Sequence, residues 1–345
     1  MGTVEGTELT PRQQAILLAV VGEYIATAEP VPSKLVQEKY RLPASRATIR
    51  NEMAEMERLG YLGKPHTSAG RVPTEAAYRL YVSRLESAAP ELTREQAWVR
   101  GELARCGTDL TALLRTSTRL LADLTEQAAL ASEPIAPGQS FSAFSLVPIT
   151  ARAIRVMYET EEGRRELLWE PAQPLRSDQI NALSRILAEA LAAGGLDNLD
   201  LPALAAETEL PAEVLAGLRQ LLAENAEQRI YVEGAAHLFA HPDFSAHARL
   251  QELLGSLTQE GPTRALLRGA VRRQGICVLV GSELGRGGFL HCSLVTQTYR
   301  APVARYGAVA VLGPLRMPYA RAMTAVQSVA GEIGGILGKG QEEEG

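Results

Sequence analysis

The sequence predicts an α+β fold that is divided into several domains. Its 345 residues exceed the usual size of one domain, and 46% of them are hydrophobic, which is enough for sizeable cores. Helix caps followed by apolar residues at helical spacing occupy the first 88 residues. Two groups of strand-like segments, at 141–169 and 275–312, lie on either side of a mainly helical middle. This order indicates one α/β domain that an insertion interrupts.

The N-terminal pattern opens with a well-marked helix start. Thr10 and Pro11 supply a cap and an N1 proline, and Gln13 completes a capping box. Pro30 and Pro32 end this first helix, because proline cannot continue the helical hydrogen-bond ladder. The predicted buried face of the helix consists of Ile16, Leu17, Val20, Val21 and Tyr24.

Two further helices follow and are joined by a tight turn. Ser33 is the predicted cap of the second helix, which ends near residue 40. Residues 42–44 then turn into a third helix at residues 45–59, with Ser45 as its cap. Three short helices with this turn are a helix-turn-helix arrangement, in which the third helix enters the major groove of DNA.

The third helix has two chemically different sides. Ile49, Met53 and Met56 recur at helical spacing and form an apolar face. The opposite side carries Arg46, Ala47, Arg50, Asn51 and Ala54. Arginine can pair with a guanine edge and asparagine with an adenine edge, while small residues allow close approach. The candidates for base-edge or groove contact are Arg46, Thr48, Arg50 and Asn51. An ordinary solvated helix face is the alternative.

A predicted hairpin follows the third helix, which ends at Gly60. A strand starts at residues 61–62, and residues 64–71 read as the exposed tip of a wing. The candidates for contact with the DNA backbone or through the wing are Ser45, Lys64, His66, Thr67, Ser68 and Arg71. A polar surface loop is the alternative interpretation. Thr74 is the predicted cap of a fourth helix.

The charge distribution favours a local nucleic-acid site. Residues 30–85 carry ten Lys or Arg against five Glu, a net charge of +5. Residues 1–29 carry one Arg against four Glu, a net charge of −3, so the total of −5 leaves −7 for residues 86–345. A basic island on an acidic chain is the electrostatic signature of one DNA-binding region and argues against a chain that coats nucleic acid.

The remaining segments are predicted from periodicity alone. A long helical stretch covers residues 92–130, with a break near residue 107. Strands are predicted at 141–147, 153–159, 166–169, 229–232, 275–281, 290–299 and 308–312. Further helices are predicted at 180–191, 214–222, 246–257 and 318–337.

Other chemistries find little support in the residue pattern. Three widely spaced cysteines make neither a disulfide framework nor a zinc motif. His237 and His241 have helical spacing but no acidic or cysteine partner at ligand spacing, so no metal is expected. Adjacent strand residues point to opposite faces, which argues against His291 and Cys292 as a catalytic pair. Without a signal segment or membrane span, we expect a cytoplasmic protein with no cofactor that is not an enzyme.

Two groups of longer motifs carry a family resemblance. The N-terminal group consists of LTPRQQAIL, SRATIRNEMAEMERLGYL and KPHTSAGRVPTEAAYRLYV. The C-terminal group consists of GSELGRGGFLHCSLVTQTY and VLGPLRMPYARAM. In these motifs the sequence resembles the HrcA family of heat-inducible transcription repressors. The first group contains the predicted recognition helix and wing. In the second group, Arg316 is expected to pair and Met317 to pack, which gives that motif a structural role.

The resemblance implies a domain plan and a mode of action. A winged-helix DNA-binding domain would occupy residues 1–88, and a linker helix with the first part of a GAF-like domain residues 89–173. An inserted dimerisation domain would cover 174–261, and the second part of the GAF-like domain 262–345. A homodimer would then bind the inverted-repeat operator CIRCE upstream of chaperone operons, with activity modulated by the GroE chaperonin. The alternatives are a small-molecule-responsive regulator that uses the GAF-like domain as its sensor and, less favoured by the residues, an enzyme.

Overall fold

The computed structural model describes most of the chain. The described residues are 9–65, 70–86, 94–135, 143–150, 152–160, 163–171, 173–192, 210, 214–215, 217–218, 229–244, 247–258, 260–285, 287–302 and 305–339. Most of the helix predicted at 214–222 lies outside these residues, as do residues 141–142 at the start of the first predicted strand. The mixture of helices and antiparallel sheets confirms the α+β class.

The N-terminal unit consists of four helices and a short hairpin. Its elements are α1 (Pro11–Thr27), α2 (Ser33–Tyr40), α3 (Arg46–Arg58), β1 (Leu62–Gly63), β2 (Val72–Pro73) and α4 (Glu75–Glu86). The capping box between Thr10 and Gln13 is present as predicted. α1 ends where Ala28 adopts a left-handed conformation with φ 59°. β1 and β2 pair antiparallel, with Leu62 opposite Pro73.

Two predicted caps differ from the structure. Ser33 is the first residue of α2 rather than its cap, and the extended Pro32 occupies the cap position without a side-chain bond. The Pro32 carbonyl accepts the backbone N–H groups of Leu35 (3.0 Å) and Val36 (3.3 Å), which starts the helix from the proline. Thr74 precedes α4 as predicted, but its hydroxyl donates to the carbonyl oxygens of Gly60 (2.7 Å) and Tyr61 (2.9 Å). Thr74 therefore joins the end of the hairpin to the end of α3.

The rest of the chain contains two further sheets and several further helices. Its first elements are α5 (Arg94–Ala104), α6 (Leu110–Thr125), β3 (Ala128–Ser132), β4 (Ala143–Thr150), β5 (Ala153–Thr160), β6 (Gly163–Trp169) and α7 (Ser177–Ala192). The next are β7 (Ile230–Glu233), α8 (His237–Ala240), α9 (His247–Thr258) and α10 (Glu260–Arg273). The last are β8 (Ile276–Val280), β9 (Cys292–Ala301), β10 (Arg305–Pro314) and α11 (Tyr319–Lys339).

The larger sheet has five antiparallel strands in the order β7-β3-β10-β9-β8. On one face, α5, α6 and α11 pack in a core that continues into the N-terminal helices. On the other face, α9 and α10 cover a second core that includes Leu294 and Leu312. Both faces of the central strands are therefore buried, which explains the runs of small and aliphatic residues in β3 and β10.

β3 corrects one prediction, because its residues 128–130 fall within the long helix predicted at 92–130. Glu126 instead takes a left-handed conformation with φ 54° and ends α6. All five residues of β3 are buried. A short apolar run with both faces buried cannot be distinguished from buried helix by periodicity, and here the neighbouring strands decide.

The smaller sheet, β4-β5-β6, is separate from the five-stranded one. With α7 and residues from the 210–218 region it encloses its own core, which includes Ile154 and Trp169. The larger sheet resumes at β7, where Tyr231 pairs with Ala131 of β3. The interruption of the larger sheet thus lies between residues 132 and 230. Strand alternation reveals which face of a strand is buried but not which sheet the strand joins.

Candidate nucleic-acid interface

The start of α3 is fixed by hydroxyl groups. Ser45 is the N-cap, and its Oγ accepts a hydrogen bond from the Thr48 backbone N–H at 3.1 Å. The two side-chain hydroxyls are also 2.8 Å apart. This bonding satisfies one of the free backbone donors of the first turn. The helix that carries the candidate base contacts therefore begins in a defined geometry.

The two sides of α3 are divided as predicted. Ile49, Met53 and Met56 are fully or almost fully buried against the other N-terminal helices. The residues exposed on the opposite side are Arg46, Ala47, Arg50, Asn51 and Ala54. Thr48 is partly buried at the border. One turn of helix separates Arg46 from Arg50, so the two guanidinium groups share one solvent-facing surface.

The charges of α3 are distributed unevenly between paired and unpaired groups. Each of its three glutamates contacts an arginine: Glu52 contacts Arg12 at 2.5 Å, Glu55 contacts Arg58 at 2.5 Å, and Glu57 contacts Arg71 at 2.8 Å. The hydrogen bond from Arg58 lowers the pKa of Glu55. By contrast, Arg46 and Arg50 form no ion pair within the part of the chain that the structure describes. The exposed face of α3 is consequently cationic although the helix contains three acids.

The wing is fixed at its base. Val31 and Arg71 form an antiparallel bridge, with backbone N–H···O distances of 2.8 and 3.0 Å. Gly70 lies so close to Pro30 that an added Cβ would come within 2.6 Å of the Pro30 backbone. Lys64 is exposed at the start of the tip. The remaining candidates at the tip, His66, Thr67 and Ser68, lie outside the described residues.

Arg71 is held differently from an exposed phosphate ligand. Its side chain is only 16% exposed, and its Nε contacts the Glu57 carboxylate of α3. Nη1 also donates to the Gly70 carbonyl at 3.3 Å. The structure thus places Arg71 between the wing and α3. Sequence reasoning did not single out Glu57, because an ion pair across fourteen residues and two elements leaves no local pattern.

A buried acid attaches α2 to α1. Glu23 of α1 is 5% exposed and accepts hydrogen bonds from Lys39 Nζ at 2.6 Å and from the Tyr40 hydroxyl at 3.2 Å. The first cause of the raised pKa of Lys39 is this hydrogen bond to Glu23. In helix-turn-helix proteins the second helix braces the third against the DNA backbone. Glu23 is therefore a supporting residue that the sequence did not reveal.

The C-terminal motif has the structural role expected of it. Arg316 Nε contacts Asp243 Oδ2 at 2.7 Å, and Met317 is fully buried.

The histidine and cysteine side chains near this motif are structural. His241 Nε2 is 3.0 Å from the Gln127 amide nitrogen, and burial lowers the pKa of His241. Cys292 is fully buried, and burial raises the pKa of its thiol to about 12. The described residues include no cluster of three metal-ligating side chains.

An open cleft of about 350 Å³ lies between α4 and the edge strand β8. It is lined by Arg79, Arg273, Ile276, Cys277, Val278, Leu279 and Glu283. The polar side chains in it already contact protein groups, since Arg79 pairs with Glu283 and Arg273 lies 3.5 Å from the Cys277 sulfur.

Of the helices that the structure describes, none combines the length and apolar character needed to cross a bilayer.

Comparison with known proteins places this architecture in a family. The family described as HrcA protein C terminal domain matches residues 111–323. The heat-inducible transcription repressor HrcA of Gloeobacter violaceus is 35% identical over 334 residues, which cover 94% of this chain and 93% of that protein. Its namesake from Symbiobacterium thermophilum is 32% identical over 331 residues, with 93% and 97% covered. The chain belongs to the HrcA family.

HrcA relatives are named as transcription repressors, a non-enzymatic class, which confirms the prediction that this chain is not an enzyme. A solved structure described as a hypothetical protein at 2.2 Å resolution has a TM-score of 0.58 and 22% identity to this HrcA chain. The similarity covers 96% of this chain and 99% of the other. At that level of identity it supports the HrcA fold alone.

Proposed function

We propose that this HrcA-family chain is a sequence-specific DNA-binding repressor of heat-shock chaperone operons. One observation carries the proposal: α3 exposes an asparagine and two arginines that form no ion pair among the described residues, while all three of its glutamates contact arginines. An anionic groove would attract such a surface, and the side chains on it are those that read purine edges. Ala47 and Ala54 leave room for the helix to approach the bases closely.

Individual roles follow from position. Arg50 and Asn51 lie on the exposed face and are the first candidates for base contacts, with Arg46 and Thr48 beside them. The residues proposed for backbone or wing contact are Ser45, Lys64, His66, Thr67 and Ser68. Arg71 is proposed to position the wing rather than to bind phosphate, because its guanidinium already contacts Glu57.

A homodimer would present two copies of α3 to an inverted repeat such as CIRCE. The sheet β4-β5-β6 offers a surface for dimerisation, because one face is buried while Val147, Ile149 and Leu168 on the other are 39%, 50% and 53% exposed. Val147 and Leu168 flank Arg155 in register across the sheet. Exposed apolar groups that cluster in this way are typical of protein contact surfaces.

Heat regulation would act through the GroE chaperonin, as the family resemblance implies. The chaperonin would help the repressor reach its active fold, and heat would divert it to other unfolded chains. The relatives carry the words heat-inducible in their names. Repression would then fall when unfolded proteins accumulate.

The test is binding to a CIRCE duplex and to a scrambled duplex of equal length at several salt concentrations, with and without GroE. Non-specific binding depends steeply on salt and recognises both duplexes equally. A clear preference for CIRCE is expected, together with a larger active fraction when GroE is present. Equal affinity of a folded dimer for both duplexes would overturn the operator assignment. A preference that is indifferent to GroE would overturn only the proposed mode of regulation.

A further inference from the structure

Helix α4 belongs to the N-terminal unit but also contacts the five-stranded sheet. Its residues Ala77, Tyr78 and Val82 are buried in the core shared by both parts of the chain. The ring centroids of Tyr78 and Tyr81 lie 6.2 and 6.4 Å from that of Tyr319, at the start of α11. α4 is thus the element through which the DNA-binding unit rests on the rest of the chain.

The exposed side of this junction is polar. Arg79 Nε donates to Glu283 Oε1 at 2.9 Å, and Nη2 donates to the Val278 carbonyl at 2.7 Å and contacts Glu283 Oε2. Glu283 is itself attached to the sheet, because its Oε2 accepts the Val280 backbone N–H at 2.9 Å. The guanidinium therefore contacts both a carboxylate and the backbone of the edge strand β8.

A second contact lies one helical turn earlier. Glu75 Oε2 accepts hydrogen bonds from the Ser282 backbone N–H at 3.1 Å and from the Ser282 hydroxyl at 2.8 Å. Gly281 permits this approach, because a Cβ there would overlap the Glu75 carboxylate. Gly281 also has φ +55°, a conformation that side-chain-bearing residues rarely adopt. Glu75 and Arg79, which are four residues apart on α4, thus both bind the turn Gly281–Leu284.

We call these contacts, of Glu75 and Arg79 with Ser282, Glu283 and Val278, the α4 clamp. The clamp is better suited to fixing the orientation of α4 on the sheet than to stabilising the folded state. Both side chains of the Arg79–Glu283 pair are more than a third exposed, and exposed pairs contribute little to the free energy of unfolding. Their geometry is nevertheless specific, because the planar guanidinium engages two acceptors at once. They add directional polar contacts to the apolar packing around the tyrosine cluster.

We propose that the α4 clamp positions the recognition helix for simultaneous binding of two half-sites, an inference that rests on the proposed DNA-binding function. In a dimer, the second half-site is bound at a local concentration that depends on how well the two recognition helices match its spacing. A fixed orientation of each N-terminal unit raises that concentration. Glu75, Arg79 and Glu283 are therefore positioning residues, which need not touch the DNA.

The experiment compares affinities for an inverted-repeat duplex and for a duplex with one intact half-site. The variants are Arg79→Glu, Glu283→Arg and the double swap R79E/E283R. Arg185→Glu on α7, an exposed arginine that pairs with Glu189 at 3.0 Å, is the matched charge control. Arg79→Met retains the aliphatic stem and serves as a second variant if Arg79→Glu fails to fold, which thermal melts reveal.

The wild-type ratio of inverted-repeat to half-site affinity is expected to fall about tenfold or more in Arg79→Glu and Glu283→Arg. The double swap is expected to restore much of it, and Arg185→Glu to leave it unchanged. An unaltered affinity ratio in the folded single variants would overturn the proposed role of the clamp. Tighter binding of those variants to the inverted repeat would also overturn it, because the clamp would then hold the recognition helices away from the spacing of the two half-sites. If the wild type does not prefer the inverted repeat to a scrambled duplex, the proposed function itself fails.

Discussion

Arg50 lies on the exposed face of α3, next to Asn51 and one turn from Arg46. If Arg50 reads a guanine edge, Arg50→Ala should weaken binding to the operator by about 1–3 kcal/mol and change binding to scrambled DNA far less. Lys64→Ala is the comparison, because an exposed lysine that contacts phosphate should weaken binding to both duplexes equally. Fluorescence anisotropy titrations at fixed salt measure both. Equal losses for Arg50→Ala would reassign Arg50 to the phosphate backbone.

We expect the free energy of unfolding to depend on pH through the partly buried His241. Burial lowers its pKa, and its ring hydrogen-bonds the Glu126 backbone and the Gln127 amide. The charge of Arg316 adds to this shift, whereas the charges of Asp243 and Glu126 oppose it. The unfolded chain therefore binds more protons than the folded chain between the folded pKa and about 6.5. Stability due to His241 should be complete above about pH 6.5 and should decrease as pH falls through that window.

Urea unfolding at several pH values tests this expectation with His241→Asn as the comparison. The variant should lose part of the decrease in unfolding free energy that the wild type shows as pH falls below about 6.5. Identical pH profiles for the two proteins would contradict the assignment to His241.

The three cysteines should differ in reactivity with a thiol reagent at about pH 8. Burial raises the pKa of Cys292 to about 12, so its reactive thiolate is scarce and shielded from solvent. Cys106 and Cys277 are partly exposed. Two thiols should react in the native protein and the third only after unfolding, which mass spectrometry can assign. Rapid modification of Cys292 in the folded state would contradict the packing around β9.

At the scale of elements, the wing depends on the ion pair between Glu57 and Arg71. Removing a carboxylate near DNA should by itself strengthen binding, because it reduces repulsion of phosphate. We predict the opposite for Glu57→Gln: weaker operator binding, by about 1 kcal/mol, because Arg71 and the wing lose their attachment to α3. A loss of affinity thus indicates that Glu57 positions Arg71 and the wing, whereas a gain indicates that Glu57 only repels phosphate.

Glu55→Gln is the matched control for this prediction, because Glu55 also pairs with an arginine, but that arginine, Arg58, lies on α3 itself rather than in the wing. It should leave operator affinity unchanged or raise it slightly. If Glu57→Gln raises affinity by as much as Glu55→Gln, then Arg71 is free to bind phosphate when Glu57 is removed, and the positioning role is wrong.

For the whole molecule, the proposed dimer surface is the exposed face of β4-β5-β6. Leu168→Glu places a charge at its most exposed aliphatic residue and should convert dimer to monomer, because burying an unpaired carboxylate in an interface is costly. Leu290→Glu introduces the same charge at an exposed leucine outside this sheet and should leave the dimer intact. Light scattering after size-exclusion chromatography measures the mass. A dimeric Leu168→Glu would move the interface elsewhere.

Local signals proved reliable wherever neighbours in sequence are also neighbours in space. The Thr10 capping box, the Ser45 cap and the buried face of α3 each depend on residues at most eleven positions apart, and all are present. The exposed Arg46, Arg50 and Asn51 follow from the same helical periodicity. Apart from β3, alternation also locates the strands later in the chain, although their ends differ from the predicted ones by up to three residues.

The sequence by itself thus determined the helix caps, the two faces of α3 and the presence of most strands, since propensity and periodicity act over a few residues. Only the tertiary structure decided that β3 is a strand, that β4-β5-β6 form their own sheet and that β7 returns to β3. It also brought Glu57 to Arg71 and, across 204 positions, Arg79 to Glu283. Such contacts arise when whole elements pack to bury their apolar faces, and the separation of their partners leaves no periodic trace in the chain.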